Sequence, residues 1–129
     1  VVGVASANVV IAHIPRKKGT TMYEYRAFVR KVYDGDTITV DIDLGFGISL
    51  GTQKVRLLRI NAPEVRGEQR EKGLISRNAL RDKIGNKWIK IKTQKDKKGK
   101  YGRWLAEVWL DDTCINDWLI TEGFAEEYK

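Results

Sequence analysis

Ile38, Val40, Ile42 and Leu44 alternate with Thr39, Asp41 and Asp43, and this period of two limits the fold more than any other feature of the chain. Successive side chains of a strand point to opposite faces, so the run is predicted to be a strand with one face in a core. Trp104, Ala106, Val108 and Leu110 recur with the same period. Three further runs read as strands: Tyr25 to Tyr33, which holds Phe28, Val29 and Val32; Val55 to Ile60, apolar on both faces; and Trp88 to Thr93. The turns between them are Asp34-Gly35-Asp36, a connection marked by Gly45, Gly47 and Gly51, Asn61-Ala62-Pro63, the charged turn Lys95 to Lys100, and Asp111-Asp112. From about Glu71 to Ile84 the chain has no Gly or Pro after Gly73. Ile75, Ala79, Leu80 and Ile84 fall within half of a helical wheel, with Leu74 off that stripe. Gly85-Asn86 is expected to stop this helix. A short helix over Ile115 to Glu122 closes at Gly123. The order is β-β-β-α-β-β-α. Five short strands with a helix after the third predict a five-stranded Greek-key barrel of the OB type with two helices, an α+β fold.

A chain of 129 residues suits one domain, and a monomer is expected. No apolar run approaches the roughly 18 residues that span a bilayer, so no membrane partner is expected. Cys114 is the single cysteine and His13 the single histidine. An intramolecular disulfide and a structural Cys/His zinc site are therefore excluded, and a Ser-His-Asp triad would need His13. Chemistry has to rest on carboxylates, arginines, lysines and tyrosines, with or without a hard metal. Lys and Arg number 24 against 17 Asp and Glu, a net charge of +7 with a pI near 9.6. That balance favours anionic partners, nucleic acid above all, although ordinary solubility charge has the same signature. Cys114 reads as a small packed residue rather than a reactive thiol, and Trp88, Trp104, Trp109 and Trp118 as core or barrel-surface aromatics rather than base platforms.

Residues 1–21 are set apart as an N-terminal extension of the domain at 22–129. They have three readings: the tail of a secretory signal, with Ala5-Ser6-Ala7 in the form of a cleavage site; an extension upstream of Met22; or an extra strand on the domain. The compartment, secreted or intracellular, stays open.

Four motifs bear on chemistry. Asp34-Gly35-Asp36-Thr37 sets two carboxylates on a turn, where they can offer oxygens to a hard cation such as Ca²⁺ or simply form an Asp-Gly hairpin. Arg56 to Glu64 carries an Arg on a buried strand that ends in Asn-Ala-Pro-Glu. Guanidinium pairs with phosphate oxygens, and Glu64 can serve as a general base. A surface ion pair and a helix-approach carboxylate are the plainer readings. Lys100-Tyr101-Gly102-Arg103 offers two cations and a ring for phosphate and base, or a solvated turn. Seven lysines between Lys87 and Lys100, against Asp96 alone, form a stripe for a phosphate backbone or a solvated strand face.

Taken together and in order, Asp34-Gly-Asp-Thr, Arg56-Leu-Leu-x-Ile-Asn-Ala-Pro-Glu64 and Lys100-Tyr-Gly-Arg103 with Leu105-Ala106 resemble the staphylococcal nuclease (thermonuclease) family. The likeness extends through Ile115-Asn116 and Leu119 to Glu122-Gly123. It implies a five-stranded OB barrel with helices. It also implies a Ca²⁺-dependent nuclease that activates water for in-line attack on DNA or RNA and leaves 3′-phosphate ends. By the same resemblance Asp36 is the main carboxylate ligand of calcium, Asn61 stands at a second ligand position, and Ala62 supplies a carbonyl. Arg56 and Arg103 clamp the phosphate, Glu64 positions or deprotonates the water, and Lys100 and Tyr101 contact the nucleotide.

This chain departs from the family pattern at three points. Asn61 stands where the best-known members have an Asp ligand, and Ala62 stands in place of a Thr. The chain also ends near Lys129, where the family usually continues into a third helix. The competing function is a non-catalytic OB module that binds nucleic acid or protein. An amide oxygen can ligate calcium, but the site then has one negative charge fewer. Asn61→Asp is therefore expected to bind calcium more tightly than the natural sequence in titration calorimetry. Equal affinity would contradict this reading.

Overall fold

The computed structural model describes residues 23–95 and 104–128. The extension 1–21 and the residues Lys100, Tyr101 and Arg103 lie outside the described residues. The chain runs through β1 (Tyr23–Asp34), β2 (Thr37–Gly45) and β3 (Ile48–Leu57), then a two-residue strand β4 (Ile60–Asn61). A 3-10 turn over Gly67–Gln69 leads into α1 (Arg70–Ile84). Then follow β5 (Trp88–Lys95), β6 (Trp104–Leu110), β7 (Thr113–Cys114), α2 (Ile115–Thr121) and β8 (Glu126–Glu127).

Antiparallel pairing runs β3-β2-β1-β5-β6, and the sheet closes where β3 lies parallel to β6, with Val55, Arg56 and Leu57 opposite Trp104, Leu105 and Ala106. This is the five-stranded barrel with two helices expected from the sequence. Its interior holds Val29, Ile38, Val40, Val55, Leu57, Ile91 and Val108, and α1 and α2 close it with Leu80, Ile84, Ile115 and Leu119. Strand alternation alone would set Val29 and Val32 on opposite faces. A register shift in β1 between Val29 and Lys31 takes up one residue at Arg30, and both valines are buried.

Several boundaries differ from the sequence reading, each for a local reason. The Gly45–Gly51 stretch is not all connection. β3 already begins at Ile48, because the hairpin needs left-handed backbone only at Gly45, Phe46 and Gly47. The third strand also ends at Leu57, where Arg59 at φ 67° breaks it ahead of β4. On α1 the buried face is Gly73, Ser76, Leu80 and Ile84, and Ile75 is exposed. Small residues let the helix lie close to its neighbours, which turns the larger Ile75 outward. The helix stop is at the expected place, but the left-handed residue is Asn86 (φ 56°), not Gly85. Gly85 is needed for space: a Cβ there would lie 2.4 Å from the Arg81 carbonyl oxygen. Leu44, at the end of the alternating run, is also exposed, since it lies at the open rim of the barrel.

Cys114 is buried at the start of α2, and burial pushes its thiol up from the ordinary value. That is the state of a packing residue. The next polar group along, Asn116, is fully buried and ties three elements together. Its Oδ1 accepts from Val108 N–H at 2.9 Å, and its Nδ2 donates to the Leu58 and Ala106 carbonyls at 2.8 and 3.2 Å. Replacing it by Leu leaves a buried N–H and a carbonyl without their partner. Asn116→Leu is expected to lower stability by about 3 kcal/mol in urea unfolding. A loss below about 0.5 kcal/mol would show that the amide is dispensable.

Candidate active site

One end of the strand pair β2–β3 brings the predicted residues together. Thr37, the first residue of β2, is opposite Arg56 near the end of β3, and Leu57 N–H donates to the Asp36 carbonyl at 2.7 Å. The turn between β1 and β2 is thereby fixed against the segment that leads to Asn61. Asp36 is only 7% exposed, yet its carboxylate is well partnered. Oδ2 accepts the backbone N–H of Ala62 at 3.0 Å and a guanidinium N–H of Arg56 (Nη2) at 3.5 Å. Oδ1 accepts the Thr37 hydroxyl at 3.0 Å.

Arg56 lies between two oxygens. The same Nη2 donates to Asn61 Oδ1 at 3.4 Å, and Nη1 donates to the Leu57 carbonyl at 3.2 Å. These distances are long for charge-assisted hydrogen bonds, so the guanidinium is aimed rather than locked and can turn to a more charged oxygen. Its Cζ also lies 5.4 Å from the centre of the Tyr128 ring. Pairing of β8 with β4 brings this tyrosine in, with Tyr128 N–H donating to the Arg59 carbonyl at 2.8 Å. Tyr128 is absent from the sequence reading. Two-residue strands have no period to detect, so nothing in the sequence marks it.

Asp34 accepts the Asp36 N–H at 3.0 Å. Burial, with the hydrogen bond and charge of Asp36 beside it, pushes its carboxyl up to about 6. Two carboxyl groups this close favour a positive charge between or beside them. Every group offered here, Asp36, Asn61 and the 61–63 backbone, is an oxygen donor, as a hard cation prefers. Among the described residues no three His, Cys, Asp or Glu side chains gather into a metal cluster. A cation at this place would therefore rest on few charges.

Two glycines make the close packing possible. A Cβ on Gly35 would lie 2.7 Å from Ala62 Cβ and 2.9 Å from Ser76 Cβ. One on Gly73 would lie 2.0 Å from the Glu64 carbonyl oxygen. Helix α1 can therefore press against both the Asp36 turn and the 61–65 segment, and Ser76 Oγ adds a 2.6 Å bond to the Phe124 carbonyl. Gly35 reads as a turn residue and Gly73 as a helix boundary in the sequence. Their real role, making room for two chain segments, needs the tertiary path. Beside this packing lies an open cleft of about 450 Å³, bordered by Asn61, Ala62, Pro63, Lys72, Ile75 and the 123–126 segment.

The structure brings Asp36, Arg56, Asn61 and Ala62 into one cluster. Glu64 is exposed two residues beyond Ala62, with its N–H donating to Gln69 Oε1 at 3.4 Å. Arg103, Lys100 and Tyr101 lie outside the described residues; Arg103 directly precedes Trp104, the first residue of β6.

A family model described as "Staphylococcal nuclease homologue" matches residues 54–129. The chain is 32% identical over 115 residues to the thermonuclease of Staphylococcus intermedius, covering 86% of this chain and 65% of that protein. It is 32% identical over 101 residues to the thermonuclease of Staphylococcus hyicus, covering 75% of this chain and 56% of that protein. The chain thus spans somewhat under two thirds of the length of the curated relatives it matches.

The glycine contacts give a direct test of how the cluster is assembled. Gly73→Ala would force the Glu64 backbone away from α1. It is expected to cost about 2 kcal/mol or more in thermal or urea unfolding, whereas Gly→Ala at an open helix site stabilises by about 1 kcal/mol. Unchanged or raised stability would mean that the 63–65 segment is not held against the helix.

Proposed function

The chain belongs to the staphylococcal nuclease family, and from that premise we propose that it is a calcium-dependent phosphodiesterase that hydrolyses DNA or RNA to products with 3′-phosphate ends. The observation that carries this reading is the position of Arg56, with one nitrogen shared between Asp36 Oδ2 and Asn61 Oδ1 at 3.5 and 3.4 Å. A cation donor and a cation-binding oxygen set lie side by side, which is the arrangement phosphoryl chemistry needs.

The oxygen donors of Asp36, Asn61 and Ala62 fit a hard divalent ion, with Asp36 as its main carboxylate. Calcium bound there supplies Lewis acidity toward a phosphoryl oxygen. The protein's own groups do the rest. Arg56 donates to the non-bridging oxygens of the scissile phosphate. Those oxygens carry more charge in the five-coordinate transition state than in the substrate, so the contact favours the transition state. Arg103 is assigned as the second clamp, Glu64 as the group that orients or deprotonates water, and Lys100 and Tyr101 as nucleotide contacts. Glu64 is suited to its role because it is exposed and its backbone is fixed on Gly73. The protein is expected to act as a monomer.

One observation favours the non-catalytic reading, an OB module that only binds: Asn61 leaves the ligand set short of one negative charge. Cleavage of labelled single-stranded and duplex DNA separates the two. The expected outcome is cleavage with Ca²⁺, none with chelator, and a loss of about a hundredfold or more in kcat/KM for Arg56→Ala. Salt-sensitive binding without cleavage would support the binding module instead.

A further inference from the structure

The outer face of the barrel leads away from Arg56 across β3, β2, β1 and β5, and strand pairing fixes its rows of side chains. Ile38 and Val40 are buried, so Thr37, Thr39, Asp41 and Asp43 point outward from β2. Residues directly opposite each other in a sheet share a face. Arg56 is opposite Thr37, and Lys31 and Lys54 flank Thr39. Phe28 is opposite both Asp41 and Trp88, and Arg26 is opposite Asp43. At the rise of an extended strand, the Trp88 row lies about 13 Å from the Arg56 row, and the Arg26 row about 20 Å.

The aromatic row is built outside the core. Trp88 is half exposed. Its ring meets Phe28 edge to face with centroids 5.5 Å apart. Each ring also has a guanidinium against it: Arg26 Cζ lies 5.0 Å from the centre of Trp88, and Arg30 Cζ 4.8 Å from that of Phe28. A cleft of about 410 Å³ opens beside the two rings, with Asp43 and Ser49 on its other side. An indole held this way has gained little burial, but it offers a flat surface next to positive charge.

The charge on this face is not balanced by its own acids. Glu24 is taken by Lys90 at 3.1 Å, Asp41 by Arg30 and the Thr52 N–H, and Asp43 by the Gly45 N–H at 2.9 Å. Arg26, Lys31 and Lys54 have no carboxylate partner among the described residues. None of the three belongs to the cluster around Asp36. From Arg56 outward the order is therefore a guanidinium, two free lysines, two rings and a further free guanidinium.

We propose that this outer face is a binding track for single-stranded nucleic acid, with Lys31 and Lys54 on the phosphate backbone and Trp88 as a stacking platform for a base. It rests on the nuclease reading of the Arg56 site, since the strand it holds is the part of a substrate beyond the scissile phosphate. Cations that follow a backbone, interleaved with rings that take base faces, are what binding of unpaired strands requires. A duplex keeps its base faces stacked within itself and has no use for the indole. The row nearest the site holds only Thr39 and the two lysines, which suits phosphates and offers nothing to an apolar partner.

The test is binding of the full 129-residue chain to fluorescein-labelled oligothymidylate of about twenty nucleotides, read by anisotropy with chelator present so that nothing is cut. Trp88→Ala is expected to weaken binding about tenfold. Lys31→Gln combined with Lys54→Gln is expected to weaken it too, and to lower the slope of log Kd against log salt by about 1.4, the value for two phosphate contacts on a single strand. A duplex of the same length is expected to be insensitive to Trp88→Ala. Circular dichroism checks that each variant is folded. No binding by the natural sequence, or unchanged binding by the lysine double variant or by folded Trp88→Ala, would overturn the proposal. Equal loss of duplex and single-strand binding in Trp88→Ala would overturn it as well, as would a dimer in gel filtration that this variant dissolves. Calcium-dependent cleavage by the natural sequence alongside unchanged binding in the variants would sink the track and leave the nuclease reading intact.

Discussion

The buried carboxylate of Asp36 is the interaction on which the arrangement of this protein's site depends. A carboxylate that leaves water costs several kcal/mol unless donors replace the solvent. Here the replacements come from separate parts of the chain: the Thr37 hydroxyl, the Ala62 N–H and the Arg56 guanidinium. Satisfying one charge therefore fixes the first turn, the end of β3 and the segment after β4 relative to one another. The barrel supplies the framework, because closure of β3 on β6 sets where Arg56 emerges.

That dependence explains why the small residues around the site matter as much as the charged ones. Gly35 and Gly73 let α1 lie against the turn and the 61–65 segment, and neither position leaves room for a Cβ. Asn116 does comparable work on the far side of β6, where a single amide bonds backbone groups of two segments and fixes α2 to the barrel. The fold is thus tied at two places by buried polar side chains with their bonding capacity used, and between them by an aliphatic interior. Polar groups of this kind stabilise less through net energy than by excluding other arrangements.

Much of this was legible in the sequence. The period of two in Ile38 to Leu44 marked β2, and the motif Arg56 to Glu64 marked the strand end that carries the cluster. The interior valines and isoleucines also followed from alternation, apart from Val29 and Val32, whose shared face needed a bulge that alternation does not foresee. What stayed hidden depends on tertiary approach. Ile75 looked like core because apolar residues on a helix usually are, whereas α1 packs through Gly73 and Ser76. Tyr128 reaches Arg56 through a two-residue strand pair that no pattern announces. The Asp34 carboxyl, held near 6 by burial beside Asp36, is a property of the folded turn and not of the Asp-Gly-Asp motif.

The central claim is that one carboxylate both organises the cluster and carries its cation chemistry. The most direct measurement is calcium titration of Asp36→Asn beside the natural sequence, with DNA cleavage assayed on the same samples and circular dichroism as the check on folding. Asparagine is close in shape and keeps an oxygen acceptor for Ala62 N–H, so the fold is expected to persist. The account expects calcium binding and calcium-dependent cleavage to be lost together in a folded protein. Retention of either by folded Asp36→Asn would contradict it.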